Sequence, residues 1–367
     1  MTENKKLTLN QLLLDTANYI IDLQKSDGSF PAGHNGPHND PETPVRNTAH
    51  FLFLFAHLFQ VTGNINYKKA GEKAISYLLG NKARQNFTFY CRDKLGKDHC
   101  NGLIGQAWVI EALIKASEAF NRDDCYKLAE KVFLLHPWNE RIGVWKCIEV
   151  DGTERPVDGT FNHQLWFAAI GSLLNKTTEA KKMTEIFLKK VVPNVYLYSN
   201  GVILHSSPVG RLVDFVKSGY FPLVNELKHR HCIKMKLKES YSHSVGYHGF
   251  NLYAFAMFKK QYPNNKFWSS FKFKKMTNCV YSTNFQQELL DSEFGYFYNV
   301  SGIEIAYAME TFHKNKNETT TWLNWQFKET YLDSKNPLCR NSPDKNTAMA
   351  RIYQAARLIN DYEIIVP

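Results

Sequence analysis

Residues 151–174 read DGTERPVDGTFNHQLWFAAIGSLL. The first half is polar, with two Asp-Gly pairs, the carboxylates of Asp151, Glu154 and Asp158, and Arg155. From Phe161 onward the apolar side chains fall at helical spacing: Phe161, Leu165, Trp166, Ala169, Ile170, Leu173 and Leu174. Asn162, His163 and Gln164 stand at the junction. A loop rich in functional groups that runs into an apolar helix delivers those groups to one end of a buried helix.

The same grammar recurs along the chain. Apolar helical segments are expected at 48–61, 102–120, 161–174, 250–258, 303–312 and 347–358, each after a long polar connection. Amphipathic partners at 7–23, 67–79, 125–135, 179–191, 268–281 and 321–331 alternate with them, and most follow a short turn. Twelve helices in six pairs, with every long loop on one side, predict an all-α fold. It is an (α/α)6 toroid whose cleft lies on the N-terminal face of the inner ring. A superhelical solenoid shares the local pattern but carries repeating sequence, and here only the hydrophobic pattern repeats. Small β-hairpins are expected within the long loops, at 144–150 leading into Asp151-Gly152, and at 196–206 around Asn200-Gly201. The second belongs to the longest connection, 193–246, which reads as an insertion with a short helix near 212–216. A single domain over 1–367 is expected.

The chain has 45 Lys+Arg against 35 Asp+Glu, a formal charge of +10. That excess suits an acidic ligand or ordinary solubility. The densest basic stretch, Lys234, Lys236 and Lys238, alternates as a strand face does, so no nucleic-acid partner is expected. The first residues, MTENKKLTLNQ, lack the apolar core of a signal peptide, and no apolar run nears the roughly 20 residues of a membrane span. Seven scattered cysteines without a Cys-x-x-Cys pair fit a reduced, cytoplasmic protein. Nothing in the pattern specifies an oligomer.

The loops before the apolar helices carry Asp40, Glu42, Arg46, Arg92, His99, Arg155, Asp158, Tyr247, His248, Tyr296 and Tyr298. The helix starts add His50, Gln106, Trp108, Asn162, His163, Gln164, Glu304 and Arg351. Aromatic platforms with amides and carboxylates suit a hydroxyl-rich ligand, and unpaired N–H groups at the inner-helix N-termini favour an anionic one. An acidic sugar or oligosaccharide is the expected partner. No metal or cofactor is expected, because the histidines come singly and His229 and His231 are too close for a helical pair of ligands. Plainer roles compete at each position. Asp40 and Glu42 are placed to cap the following helix, and Asp158 to close an Asx-turn. Asn162, His163 and Gln164 cannot all face the cleft. Glu304, inside an apolar helix, must meet an arginine or line the cleft. His57 and Glu111 read as barrel wall.

With the motifs DGSFPAG, HNDPETPVRNTAHFL, NGLIGQAWVIEAL and VDGTFNHQLWFAA in this layout, the chain resembles the six-hairpin glycosidase group over residues 10 to 360 or so. Within that group it resembles the unsaturated glucuronyl and rhamnogalacturonyl hydrolases. It is closer still to proteins encoded in archaeal agl glycosylation gene clusters, which share the DPETPVRNT and DGTFNHQLW wording. The resemblance implies a general acid at Asp158 acting on a uronic acid, although Gly159-Thr160 and the Asn-His-Gln cluster depart from the hydrolases. Glycoside-hydrolase-like chemistry with Asp158 as acid, assisted by Asp40, Glu42 or Glu304, is therefore the first expectation. A hexuronyl epimerase, in which tyrosines and Glu304 share acid and base roles, is the second. A glycan-binding protein without catalysis is the third.

Overall fold

The computed structural model describes residues 5–205 and 241–367. In chain order its first seven helices are α1 (Leu9–Asp22), α2 (Val45–Thr62), α3 (Ile65–Leu79), α4 (Gly102–Phe120), α5 (Asp123–Leu135), α6 (Phe161–Gly171) and α7 (Thr178–Lys190). Beyond the longest connection come α8 (His248–Gln261), α9 (Phe271–Asn278), α10 (Thr283–Asp291), α11 (Ser301–Phe312), α12 (Lys316–Thr330) and α13 (Lys345–Ala350).

Helices α2, α4, α6, α8 and α11 are buried nearly all round, as their apolar composition requires. Each packs on the next. The sixth inner segment, α13 with its 3-10 continuation Arg351–Arg357, touches both α11 and α2. That last contact closes the ring, so the molecule is a toroid and not an open solenoid. Helices α3, α5, α7 and α12 each lie against the inner helix that precedes them. Their apolar stripes face inward, and Asn64 and Asn315 cap α3 and α12 by accepting from the first-turn N–H groups.

Three elements differ from expectation. The outer segment at 268–281 is a 3-10 turn (Lys266–Ser269), α9 and a second 3-10 turn (Cys279–Tyr281), and α10 follows as an additional helix that buries only Phe285 and Leu289. Two buried residues in nine give too weak a period to read from sequence. The sixth inner helix is α-helical for only six residues before tightening to 3-10. The start of the chain, Lys5–Thr8 (β1), pairs antiparallel with Glu363–Val366 (β5), which ties the two ends together. Strands of four residues with partners 357 positions away leave no local signal.

The first expected hairpin forms as β3 (Val144–Ile148) and β4 (Glu154–Val157) around Gly152 at φ 90°, extended by the short strand β2 (Trp138–Asn139). Around Asn200-Gly201 a single bridge, Leu197 to Ile203, takes the place of a full hairpin. The helix expected near 212–216 and the histidines 229 and 231 lie outside the described residues. Among the described residues no helix is long and apolar enough to cross a membrane, and the six cysteines are free and buried.

Candidate functional site

At the N-terminal end of the inner ring lies a cavity of about 210 Å³. All six inner helices, or the loops that feed them, contribute to its wall. Asn35, His38 and Asp40 come from the loop before α2, and Asn101, Ile104 and Trp108 from the start of α4. Thr160, Asn162 and His163 come from α6, Tyr247 and Phe250 from α8, Tyr298 and Asn299 from the turn before α11, and Arg351 from the sixth segment. Arg92, Lys97 and His205 complete it.

Backbone geometry places several of these groups. Asn35 and Asn101 take left-handed φ values of 61° and 55°, which Asn tolerates because its short amide can bond locally. Val300, next to Asn299, is left-handed at φ 47°, a conformation that costs a β-branched residue energy. Gly102 follows Asn101 at φ 57°, and a Cβ there would stand 2.6 Å from Asp158 Oδ2 and 3.0 Å from His163 Nδ1. The chain is therefore drawn tightly against that pair.

His163 and Asp158 form the chemically best defined couple. His163 Nδ1 lies 2.7 Å from Asp158 Oδ2, which also accepts from Leu103 N at 3.2 Å, while Oδ1 accepts from Thr160 N at 3.1 Å. Burial pushes the Asp158 carboxyl up, but His163 and the two backbone donors outweigh it and hold the group below its usual range. Asp158 is thus a carboxylate that fixes the imidazole, with an Asx-turn closed by the same side chain. This runs against its expected role as a proton donor. With Nδ1 turned to Asp158, the second ring nitrogen of His163 is the one left to meet a ligand at the cavity wall.

The wall is rich in cations. Asp40, the only carboxylate on it among the described residues, accepts from Lys94 at 2.5 Å, from Lys97 at 2.8 Å and from Arg92 at 3.1 Å. Burial pushes its pKa up, but these partners overcome that and hold it at about 2, from an ordinary 3.8. A depressed carboxyl stabilises the fold above its unfolded pKa and loses that contribution as pH falls through its folded one. Between pH 4 and pH 2 the melting temperature is therefore expected to fall in the native protein, and Asp40→Asn should flatten that limb. An unchanged acid limb in the variant would assign it to other carboxyls. Arg351, almost wholly buried, spends Nη2 on Glu304 Oε1 at 2.6 Å and on Asn299 O at 3.2 Å, and its Nε has no partner. Asn162 and Asn299 each leave a buried carbonyl oxygen unpartnered at the wall. His38 and His205 are pushed down by burial, to about 4 and about 3, so both rings are neutral near pH 7. Tyr247 Oη lies 2.8 Å from His38 Nε2, and Tyr298 donates to Asn35 Oδ1 at 2.6 Å.

Of the residues singled out from sequence, the cavity gathers Asp40, Arg92, Trp108, Asn162, His163, Tyr247, Tyr298 and Arg351, with Asp158 directly behind His163. Glu42, Arg46 and His50 stand behind the wall as a buried cluster. Arg46 donates to Glu42 Oε1 at 2.9 Å and to Asn35 Oδ1 at 3.0 Å, its guanidinium lies 4.0 Å over the Trp108 ring, and Nε points to His50 Nε2 at 3.4 Å. Glu304 is sequestered behind Arg351, and burial raises its carboxyl to about 8 against the opposing effect of Arg351. Neither Glu42 nor Glu304 lines the cavity, which corrects their expected place as catalytic carboxylates at the cleft.

Five further expectations are corrected, four by plain framework roles and one by its position. Gln106 accepts from Phe89 N and donates to Phe89 O and Cys100 O, and Gln164 does the same for Trp145 N, Trp145 O and Asp158 O. His248 accepts from Ile203 N at 3.2 Å and reaches Met276 O at 2.9 Å with its other nitrogen. Each holds backbone groups of a neighbouring segment in place, as buried peptide groups require. His99 turns Nδ1 to Arg92 O, and Tyr296 lines a separate surface groove with Trp325 and Glu329. At α4 and α13 N–H groups expected to be open are taken: Gly102 and Leu103 donate to Asp98 and Asp158, and Thr347 to Asp344. Arg92, Lys97 and Arg351 add positive charge at the wall.

Sequence reasoning passed over Asn35, Lys97, Asn101, Thr160, His205, Phe250 and Asn299 as site residues. Asn-Gly dipeptides at Asn35 and Asn101 were the available signal for two of them. His205 gave none, since only folding sets it beside the α6 start, where Phe161 N donates to its carbonyl at 2.9 Å.

No family model matches the chain. Archaeal glycosylation protein Q of Haloferax volcanii is 37% identical over 370 residues, spanning 97% of this chain and 99% of that protein. Among solved structures, a D-mannose isomerase superposes with a TM-score of 0.62 at 15% identity, covering 95% of both chains. Cellobiose 2-epimerase from Bacillus thermoamylovorans gives 0.63 at 12% identity, covering 95% of this chain and 98% of that one. An inactive α-1,6-mannanase variant from Salegentibacter, in complex with α-1,6-mannotriose, gives 0.58 at 8% identity over the same shares. At such identities these three establish the (α/α)6 fold and nothing finer.

Proposed function

The chain belongs to the family of archaeal glycosylation protein Q, and on that premise we propose that it is a carbohydrate-processing enzyme that moves a proton on an acidic sugar, an epimerase or isomerase. The observation that carries this reading is the His163–Asp158 couple at the wall of a cavity with more cations than carboxylates. An imidazole whose one nitrogen is held by a carboxylate can act as a general base through the other. It would take the proton from the carbon next to the sugar's carboxylate or carbonyl. Asp158 then stabilises the imidazolium, and Arg351, Arg92 and Lys97 offset the charge that develops on the sugar oxygens. The returning proton comes from another group on the same wall, where the Tyr247 hydroxyl and neutral His205 are the available donors.

Hydrolysis, our first expectation from sequence, has less support. It calls for two carboxyl groups flanking the bond, one of them protonated. Here the one carboxylate on the wall is held ionised by three cations, and Glu304, whose pKa is raised to about 8, is behind Arg351. Trp108, Phe250, Tyr247 and Tyr298 offer apolar faces for a sugar ring in either case.

The distinction is measurable in heavy water. Incubation with glucuronate-terminated oligosaccharides, and separately with free hexuronates, is expected to wash deuterium into one carbon-bound position with no new reducing end. Release of a reducing end without exchange would replace this reading with the hydrolytic one. Neither event, with ligand binding intact, would make the protein a glycan-binding module.

A further inference from the structure

Beside the cavity, and independent of the reading above, three potential ligand atoms of Asp98, Cys100 and Glu149 lie within 4.8 Å of one another. We propose that Asp98, Cys100 and Glu149 form a binding site for a thiophilic divalent cation of the zinc type, with Cys147 supplying a second thiolate. Cys100 Sγ stands 3.4 Å from Asp98 Oδ2, 3.9 Å from a Glu149 oxygen and 3.4 Å from Cys147 Sγ. Zn–S and Zn–O bonds of about 2.3 and 2.0 Å at tetrahedral angles put sulfur and oxygen ligands about 3.5 Å apart. The two carboxylate spacings are within about 0.4 Å of that value. Cys147 is outside the group of three whose ligand atoms share the 4.8 Å span, and would join by turning about its χ1.

Three features separate this cluster from an ordinary acidic patch. Cys100, Cys147 and Glu149 are buried, so an empty site leaves two thiols and a carboxylate crowded together in low dielectric. The carboxylates are already oriented by donors behind them: Glu149 by His99 N, Cys100 N and Val150 N, and Asp98 by Gly102 N and Arg92. Outer donors of that kind aim and tune the ligands of metal centres. Access also exists, because Asp98 and Cys147 line a groove that opens past Arg155 and Val157. Two thiolates and two carboxylates around a dication leave two negative charges, which Arg92 on Asp98 and Arg155, 3.6 Å from Glu149, match. Binding displaces one proton from each thiol, two protons per ion. Because each thiol must give up its proton, uptake is expected to strengthen as pH rises. The ion would lock the 98–102 loop, which seats Asn101 at the cavity.

The test uses the full chain, reduced and stripped by a chelator, titrated with Co²⁺ and Zn²⁺ as probes. The expected result is one ion per chain, a sulfur-to-cobalt charge-transfer band, displacement of Co²⁺ by Zn²⁺, and release of two protons. Cys100→Ser should abolish the band, Cys147→Ser should weaken it, and Cys125→Ser, at a distant buried thiol, should leave it intact. Should Cys100→Ser misfold, the wild-type titration still decides. Absence of a sulfur-to-metal band in the folded, reduced wild type overturns the proposal, as does metal uptake that survives Cys100→Ser. Formation of a Cys100–Cys147 disulfide as the pair's only chemistry overturns it too.

Discussion

Replacing His163 with Ala is expected to lower turnover by about 10²- to 10⁴-fold, the range that loss of a positioned general base produces. The fold should barely register the change. His163 is partly exposed, Asp158 is its one hydrogen-bonded partner among the described residues, and Asp158 keeps Thr160 N and Leu103 N without it. Asp158→Asn tests the same couple from behind. The single amide oxygen can keep one of the two backbone N–H groups, Thr160 N for the Asx-turn or Leu103 N for the cap on α4, but it no longer stabilises the imidazolium. A loss on the order of 10²-fold with a near-native melting temperature is expected. Full activity in both variants, in the exchange assay above, would reduce the couple to a helix cap. Full activity in His163→Ala alone would return the chemistry to the carboxylate.

Arg46→Met is expected to have the largest effect on stability, roughly 3–5 kcal/mol by chemical denaturation. The arginine is entirely buried and is the cation nearest to Glu42, whose carboxyl burial pushes up even with that partner present. Removing the guanidinium leaves a buried carboxylate with only Thr347 Oγ1, at 3.4 Å, and strips the cover from the Trp108 ring. Glu42→Gln in the same background should restore much of the loss, because the uncompensated charge disappears. A double-mutant cycle with no coupling would sink this account of the pair. Arg46→Lys keeps the charge but not the fork that serves Glu42 and Asn35 together. It is expected to lose stability rather than sugar affinity, since Arg46 stands behind the wall of the cavity.

The fold and the face that carries the site were legible in the sequence because both rest on local periodicity. An apolar run such as TAHFLFLFAHLFQV can satisfy its backbone and bury its side chains only as an interior helix, and short turns after it fix the partner helix antiparallel. Alternation of long and short connections then sorts every functional loop to one end, whatever the loops contain. What periodicity cannot encode is which way a side chain at a helix start turns. His163 faces the cavity while Gln164, its neighbour, is drawn back to Trp145. Glu304 and Arg351, 47 residues apart, find each other because a buried charge must be paired, and that pairing removes Glu304 from the cleft. The ionisation of Asp158 follows from donors on Leu103 and Thr160 and the imidazole of His163, one from another helix. Closure of the ring by Arg351–Arg357 against α2, and the pairing of β1 with β5, likewise join segments that share no local pattern. Secondary structure and layout come from interactions within a few residues. Protonation, pairing and exposure come from whichever distant groups the packed toroid brings within 3 or 4 Å, and only the tertiary structure decided those.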